Sequence, residues 1–154
     1  MSDSAIDIPA GFTPLKMGSG FIEVNGPLFL RHEGELVQLG FRVEKRHTNP
    51  MRICHGGMMA SFCDMLLPIS VHRKSPEVGM RFLPTINLQI DYLAPAPLGA
   101  WVQGEAQVLR VTRSMVFAQG LVVADGAPAA RVSGIFKIGQ PFTGGVVAPA
   151  AAAG

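Results

Sequence analysis

The chain has 154 residues, of which 48% are hydrophobic and 16% charged, and its formal net charge is +2. This length suits one domain with a sizeable core, and so small a charge does not favour nucleic acid as a partner. Every apolar stretch is shorter than the roughly 20 residues of a membrane-spanning helix, so we expect no membrane partner.

The ends of the chain differ from its middle. Residues 1–10 lack the basic and apolar segments of a signal peptide, so we expect no export signal and predict a disordered N-terminus. We predict a single domain at 11–138 and a flexible tail at 139–154, where Gly, Pro, Val and Ala follow without periodicity. Cys54 and Cys63 do not form a disulfide framework, which favours the cytoplasm.

Short strands are predicted before the central motif. Residues 21–24 have the pattern of a strand, Asn25-Gly26 is a strong signal for a two-residue hairpin, and residues 28–31 predict the returning strand. A longer strand is predicted at 35–45, with an irregularity near Gly40.

The next stretch carries the most information. Gly56 and Gly57 open an apolar run that contains one carboxylate, Asp64. Residues 58–72 predict a buried central helix, because their apolar side chains fall on every side. The first backbone amides of such a helix have no intrahelical partner, so they can hold an anion or a developing oxyanion.

The spacing of these residues has a consequence for assembly. Asp64 lies seven residues beyond Gly57, about 10 Å along the helix at about 1.5 Å per residue. A general base must come within about 3 Å of the group that it serves. If both residues serve one reaction, a two-fold partner supplies one of them, which predicts a homodimer. The alternative is that Asp64 only faces solvent or accepts hydrogen bonds from a loop.

Alternating patterns after the helix predict a sheet. Apolar and polar residues alternate over 86–92, which indicates a strand that is covered on one side. Residues 101–111 and 115–124 predict an antiparallel pair, and Asp125-Gly126 predicts a hairpin into a last strand at 130–138. The order indicates an α+β fold in which one long helix packs on one antiparallel sheet.

Other chemistries fit these residues less well. His47 and His55 with Cys54 match no closed zinc pattern, so we predict no metal site. Cys63 lies in an apolar run, and such surroundings raise the pKa of a thiol and leave it unreactive. Ser61 lacks the sharp strand-to-helix elbow of serine hydrolases.

The motif as a whole resembles a known family. Asn49, the run His55-Gly56-Gly57, Asp64 and Thr85 resemble the motif of the hotdog-fold acyl-CoA thioesterases of the phenylacetate-degradation (PaaI-like) type, over roughly residues 35–138. The resemblance implies a curled antiparallel sheet around a long helix, and a homodimer that often pairs into a homotetramer. It also implies hydrolysis of an acyl-CoA substrate to an acid and free coenzyme A, with no separate cofactor.

The resemblance assigns roles to the polar residues of the motif. Asp64 matches the carboxylate that activates water or attacks the thioester carbonyl. Gly57, with Gly56, matches the position whose backbone N–H polarises that carbonyl, and Asn49 matches a polar residue near the thioester.

Further positions follow from the same resemblance. His55 matches the histidine that orients the turn, and Thr85 the Ser or Thr that holds the water. Arg52-Ile53 stands where relatives commonly have small residues such as Gly. From the residues themselves, Met58 is an adaptable lining for an acyl chain, and Arg113 is one of several candidate cations for coenzyme A phosphates. The other candidates are Arg110, Arg131, Lys137, Arg52, Arg73 and Lys74.

Two other functions are compatible with the sequence. A non-catalytic acyl-CoA-binding protein would have no need of the set Asn49, Gly57 and Asp64. A hotdog hydratase or dehydratase would need a histidine and an acid acting together, whereas His55 lies in the glycine turn.

Overall fold

The computed structural model describes residues 5–17 and 20–142 of the chain. These residues form seven strands, numbered β1 to β7: Thr13–Pro14, Phe29–Glu33, Leu36–Arg42, Thr85–Tyr92, Trp101–Val111, Met115–Ala124 and Ala127–Lys137. They also form the helices α1, Phe21–Asn25, and α2, Gly56–Lys74, and a 3-10 turn at Lys45–His47.

The strands form one sheet that surrounds the long helix. Their order is β1-β2-β3-β5-β6-β7-β4, and every neighbouring pair is antiparallel. Leu66 and Leu67 of α2 are fully buried, as are Phe41 of β3 and Phe136 of β7. The predicted α+β hotdog fold is therefore confirmed.

Helix α2 extends two residues beyond the predicted helix at each end and continues through Pro68. Its buried side chains lie on several faces, as expected of a central helix: Met59, Phe62, Cys63, Leu66, Leu67, Ile69, Ser70 and Val71. Arg73 and Lys74 lie in the last turn, where their positive charges interact favourably with the negative end of the helix dipole.

The strand predicted at 21–24 is wrong, because these residues form α1. The side chains of Phe21 and Val24 are 64% and 69% exposed, so alternation in this stretch buries nothing. Asn25 Nδ2 donates to the Phe21 carbonyl at 2.8 Å and closes a helical turn. The Asn25-Gly26 hairpin is therefore also wrong, and β2 instead pairs with β3 across the turn at Gly34.

Strand β3 is shorter and more regular than predicted. It ends at Arg42, because the chain turns at Glu44 into the 3-10 turn. The irregularity near Gly40 is wrong, since Gly40 pairs in register with Phe29 and Gln103. A Cβ at Gly40 would lie 2.4 Å from Trp101 Cζ2, so glycine is needed there for the indole ring to pack on the strand.

The C-terminal half follows the sequence prediction closely. The bounds of β5 and β6 are those predicted, and β7 starts at Ala127, three residues earlier than predicted. The φ angles of Asp125 and Gly126 are 47° and 84°, as a two-residue type I′ hairpin turn requires.

Strand β4 is covered less completely than predicted. It forms the edge of the sheet, with an irregular register between Thr85 and Asn87. Only its middle packs against the core, because Ile86 and Tyr92 are 51% and 56% exposed.

The described parts of the termini make specific contacts. Ile6 and Ile8 pack against the cluster around Trp101, and the carbonyl of Asp7 accepts from Arg42 Nη2 at 2.6 Å. Residues 139–142 pair through their backbone with the segment before β4. The remaining residues for which disorder or a flexible tail was predicted, 1–4 and 143–154, lie outside the described residues.

The contact at Gly40 gives a stability prediction. Gly40→Ala places a methyl group against the Trp101 ring, and we expect a loss of about 1–3 kcal/mol in the free energy of unfolding, measured with urea. Gly56→Ala is the matched control, because its Cβ would meet Tyr92 Oη at an ordinary 3.5 Å. Equal midpoints for the two variants would contradict this account of Gly40.

Candidate active site

Asp64 and Thr85 are brought together from distant parts of the sequence. Asp64 lies in the middle of α2 and is half-buried, and Thr85 is the first residue of β4. The Thr85 hydroxyl donates a hydrogen bond of 2.6 Å to Asp64 Oδ1. Within the described residues the other carboxylate oxygen accepts no hydrogen bond, which leaves it available to a water molecule or a substrate.

A groove opens beside this pair, with a volume of about 420 Å³. Its floor is the face of α2 that carries Met65, Pro68 and Ile69, next to Asp64 itself. His72 and Arg73 continue this face of α2. The other lining residues come from segments outside the helix: Leu15, Lys16, Met17, Met80, Phe82, Leu83, Pro84, Thr85 and Phe142. A mostly apolar pocket with a carboxylate at one end is typical of an enzyme site for an apolar substrate.

A larger and more open depression lies on the outer face of the sheet, with a volume of about 1210 Å³. It is lined mainly by polar side chains such as Gln89, Gln107 and Gln119, and it includes none of the predicted site residues. The smaller groove, which contains Asp64 and Thr85, is therefore the candidate active site.

The start of α2 forms a second cluster. His55 caps the helix, and its Nδ1 accepts the Gly57 N–H at 2.8 Å, which places the ring proton on Nε2. The sequence predicts a free amide at Gly57, whereas in the structure this amide donates to His55 Nδ1. In the described part of the chain, the amides of Gly56 and Met58 have no hydrogen-bond partner.

Tyr92 belongs to this cluster but was given no role from the sequence. Its hydroxyl donates to the Gly56 carbonyl at 2.7 Å and so ties the end of β4 to the first turn of α2. Burial raises the pKa of Tyr92, with further contributions from Cys63 and Cys54, so the phenol stays a donor at neutral pH. The alternating pattern predicted Tyr92 only as the last residue on the apolar face of a strand, with no role in the site.

The loop before α2 orients Asn49. Asn49 Oδ1 accepts from the backbone N–H groups of Met51 and Ile53, at 3.0 and 3.4 Å. These bonds leave both Nδ2 hydrogens without a partner among the described residues, so the amide can donate to a ligand. Arg52 has φ 61°, the left-handed region that favours glycine, at the position where the resemblance expects a small residue.

His47 is a structural residue. It is 2% exposed, its Nδ1 accepts the Glu44 N–H at 3.0 Å, and its Nε2 lies 2.7 Å from the Asn25 carbonyl, to which it donates. Burial lowers the pKa of His47, so the ring is neutral. No group of three or more His, Cys, Asp or Glu residues that could hold a metal ion occurs in the described ranges.

The two cysteines are unpaired and buried to different degrees. Burial raises the pKa of the Cys54 thiol to about 11 and that of Cys63 to about 12. Neither thiol is therefore ionised at neutral pH, in agreement with the prediction that Cys63 is not a nucleophile.

Within one chain, the Asp64 and Thr85 pair lies apart from the cluster at the start of α2. Gly57 and Asp64 lie on the same unbroken helix, about 10 Å apart along its axis. Strand β4 begins beside Asp64 and ends beside Gly56. Arg113 lies in the turn between β5 and β6, at the Thr85 end of the sheet. The pairings show this, because Val116, just after the turn, pairs with Phe136, and Phe136 also pairs with Thr85.

Comparison with known proteins identifies the family. A family model described as the thioesterase superfamily matches residues 51–128, half of the chain. The chain belongs to the thioesterase superfamily. By this membership it is a thioester hydrolase.

Individual relatives agree with this assignment. A Pseudomonas aeruginosa protein named as a putative esterase is 25% identical over 136 residues, 86% of this chain and 98% of that protein. Human acyl-coenzyme A thioesterase 13 is 28% identical over 96 residues, 55% of this chain and 64% of that protein. The crystal structure of zebra fish thioesterase superfamily member 2 superposes with a TM-score of 0.66 at 25% identity, covering 78% of this chain and 87% of that one.

Among the described residues, no helix is both long enough and apolar enough to cross a membrane.

The buried His47 gives a pH prediction. Its pKa is lowered in the folded state, so as the pH falls below about 6.5 the unfolded chain takes up the proton first. The free energy of unfolding should therefore be highest above about pH 6.5 and fall on acidification. His47→Gln should flatten this dependence in urea titrations at a series of pH values, leaving the part due to His72, whose pKa burial also lowers.

The control for this measurement is His32→Gln, which replaces an exposed histidine of β2. It should keep the pH dependence of the parent protein. A His47→Gln profile as steep as that of the control would show that His47 contributes nothing to the acid sensitivity.

Proposed function

We propose that the protein hydrolyses acyl-CoA thioesters at a site shared by two subunits of a homodimer, with Asp64 as the catalytic carboxylate. The observation that carries this proposal is the Asp64 and Thr85 pair, bonded at 2.6 Å at the end of an apolar groove. The choice of an acyl-CoA substrate is supported by the name of the related acyl-coenzyme A thioesterase 13.

Asp64 and Thr85 suit the activation of water. The Thr85 hydroxyl occupies Oδ1 and orients the carboxylate, so Oδ2 can accept a proton from a water molecule in the site. The water oxygen attacks the thioester carbon, the carbon–sulfur bond breaks, and the proton passes from Asp64 to the coenzyme A sulfur. In the other form of the mechanism, Asp64 Oδ2 attacks the thioester carbon, the carbon–sulfur bond breaks, and coenzyme A leaves as the thiolate. Water then hydrolyses the mixed anhydride to the free acid and Asp64, and the proton released protonates the thiolate.

Asn49 and Gly57 suit the stabilisation of the oxyanion. The Nδ2 hydrogens of Asn49 can donate to the substrate carbonyl, because they have no partner among the described residues. The Gly57 N–H either donates to His55 Nδ1 and the substrate carbonyl at once or leaves His55 Nδ1 for the carbonyl. Each such donor is commonly worth about 3 kcal/mol in the transition state. Gly56 and Met58 add further amides at the same helix end, and His55 orients the turn.

The second subunit follows from the distance along α2. The Asp64 of one subunit must face the Gly57 of the other, because about 10 Å separates these two residues along one helix. Asn49 belongs to the loop that leads into the Gly57 end of α2, where Thr48 and Cys54 form a bridge. Strand β4 is an exposed edge with large apolar side chains at Ile86 and Tyr92, and edges of this kind pair with other strands. We place the dimer contact there and expect two dimers to form a tetramer.

Arg113 meets a coenzyme A phosphate at the Thr85 end of the sheet. The reaction needs no cofactor, because the side chains supply both the proton transfer and the polarisation of the carbonyl. The two unpaired thiols suit the reducing cytoplasm.

The first test removes the carboxylate. Asp64→Asn and Asp64→Ala should lower kcat by about 10²–10⁴-fold, because Asp64 is the one carboxylate among the described residues that line the groove. Thr85→Val should lower it less, since only the orientation of Asp64 is lost. Activity is measured as the release of free thiol from a panel of acyl-CoA esters.

Asp91→Asn is the control for these variants, because Asp91 only pairs with Arg131 on the surface. It should keep the parent activity. Unchanged hydrolysis by Asp64→Ala would refute the catalytic assignment, and bound acyl-CoA without any hydrolysis by the parent protein would show a binding protein instead.

The second test asks whether the site is shared. Asp64→Asn and Asn49→Ala chains should each be inactive as homodimers. Unfolded and refolded together in equal amounts, they form heterodimers in which one site has an intact Asp64 from one chain and an intact Asn49 from the other. Because half of the dimers then hold one working site of two, about a quarter of the parent activity should return. No recovery, with mixed dimers present by mass spectrometry, would place the whole site in one chain.

A further inference from the structure

The groove beside Asp64 has a definite direction. Its lining follows α2 from Asp64 to His72, eight residues and therefore about 12 Å along the helix. Its volume of about 420 Å³ is near the lower end of the range for small-molecule pockets, roughly 300–1,000 Å³. An apolar chain that starts at Asp64 would run toward the C-terminal end of α2.

Three rings lie together at the far end of the groove. The centroid of the Phe142 ring lies 6.3 Å from that of His72 and 6.1 Å from that of Phe82, with interplanar angles of 69° and 66°. These are edge-to-face arrangements, which aromatic rings prefer. His72 is fixed in turn, because its Nε2 lies 2.8 Å from the Arg81 carbonyl, to which it donates. The cluster therefore forms an end wall.

The backbone holds Phe142 in this wall. The Phe142 N–H donates to the Met80 carbonyl at 3.1 Å, and the Phe82 N–H donates to the Gln140 carbonyl at 2.9 Å. The Gly139 N–H donates to the Phe82 carbonyl at 2.8 Å, and a Cβ at Gly139 would lie 2.8 Å from that oxygen. Glycine at this position thus allows the two segments to approach closely, and the ring of Phe142 has a set position.

We propose that Phe142 determines acyl-chain length by ending the groove that starts at Asp64. The proposal rests on the function proposed above, because it takes the groove as the site of the acyl chain. Each methylene buried in the groove should raise affinity about fourfold. Once the chain reaches the Phe142 ring, further methylenes must displace the ring or stay in water, so the gain stops.

The test measures binding without turnover. S-alkyl coenzyme A thioethers of increasing chain length are titrated by calorimetry into the parent protein, Phe142→Ala and the control Phe21→Ala, which removes an exposed ring of α1 that lies outside the groove. The affinity of the parent should rise with chain length to a plateau, and that of the control should follow it. Phe142→Ala should continue to gain about fourfold per methylene beyond that plateau.

A second variant guards against a change in folding. Phe142→Leu keeps an apolar side chain but shortens it, so its plateau should fall between those of the parent and Phe142→Ala. The same plateau in all four proteins, or no dependence on chain length in the parent, would overturn the proposal.

Hydrolysis of the matching acyl-CoA esters separates the two proposals. If the esters are cleaved, the chain length with the highest kcat/KM should move upward in Phe142→Ala. If none is cleaved but the thioether plateau moves, the length limit at Phe142 holds and the proposed hydrolysis fails. If esters are cleaved and neither profile moves, hydrolysis holds and the role of Phe142 fails.

Discussion

The fixed rise of helix α2 is the constraint on which the rest of the site depends. The helix is unbroken from Gly56 to Lys74, so the distance between its first amides and Asp64 cannot be adjusted within one chain. The core around α2 keeps it in place, because side chains on several of its faces are fully buried. The sheet then decides what each end of the helix meets, with Thr85 beside the carboxylate and Tyr92 beside the glycines.

Much of this arrangement could be predicted from the sequence, and the parts that could not share a physical cause. The limits of β5 and β6 were predictable because local turn chemistry and alternation agree there. The strand predicted at 21–24 failed because short alternation does not specify a strand unless the sheet has a place for it. The packing of Trp101 on Gly40 joins residues 61 positions apart, and no local pattern reports such a contact.

The same division applies to the candidate site. Spacing alone predicted that Asp64 and the glycine turn lie apart, because helix geometry is regular. The family resemblance assigned Thr85 only to hold the water, whereas its hydroxyl bonds directly to Asp64 Oδ1, a contact that the sequence did not predict. The capping of Gly57 by His55 and the bond from Tyr92 to Gly56 depend on side-chain rotamers and on the end point of β4, neither of which a single sequence encodes visibly.

Strand β4 carries a consequence for how the assembly could evolve. It lies at an edge of the sheet and contacts both parts of the proposed site, Asp64 through Thr85 at its start and Gly56 through Tyr92 at its end. In the proposed dimer, a slip of two residues between neighbouring copies would preserve which side chains face inward yet misalign the carboxylate with the opposing amides. Selection for activity would therefore also act on the alignment of the two strands. Substitutions in β4 should then accumulate more slowly than those on the polar outer face of the sheet.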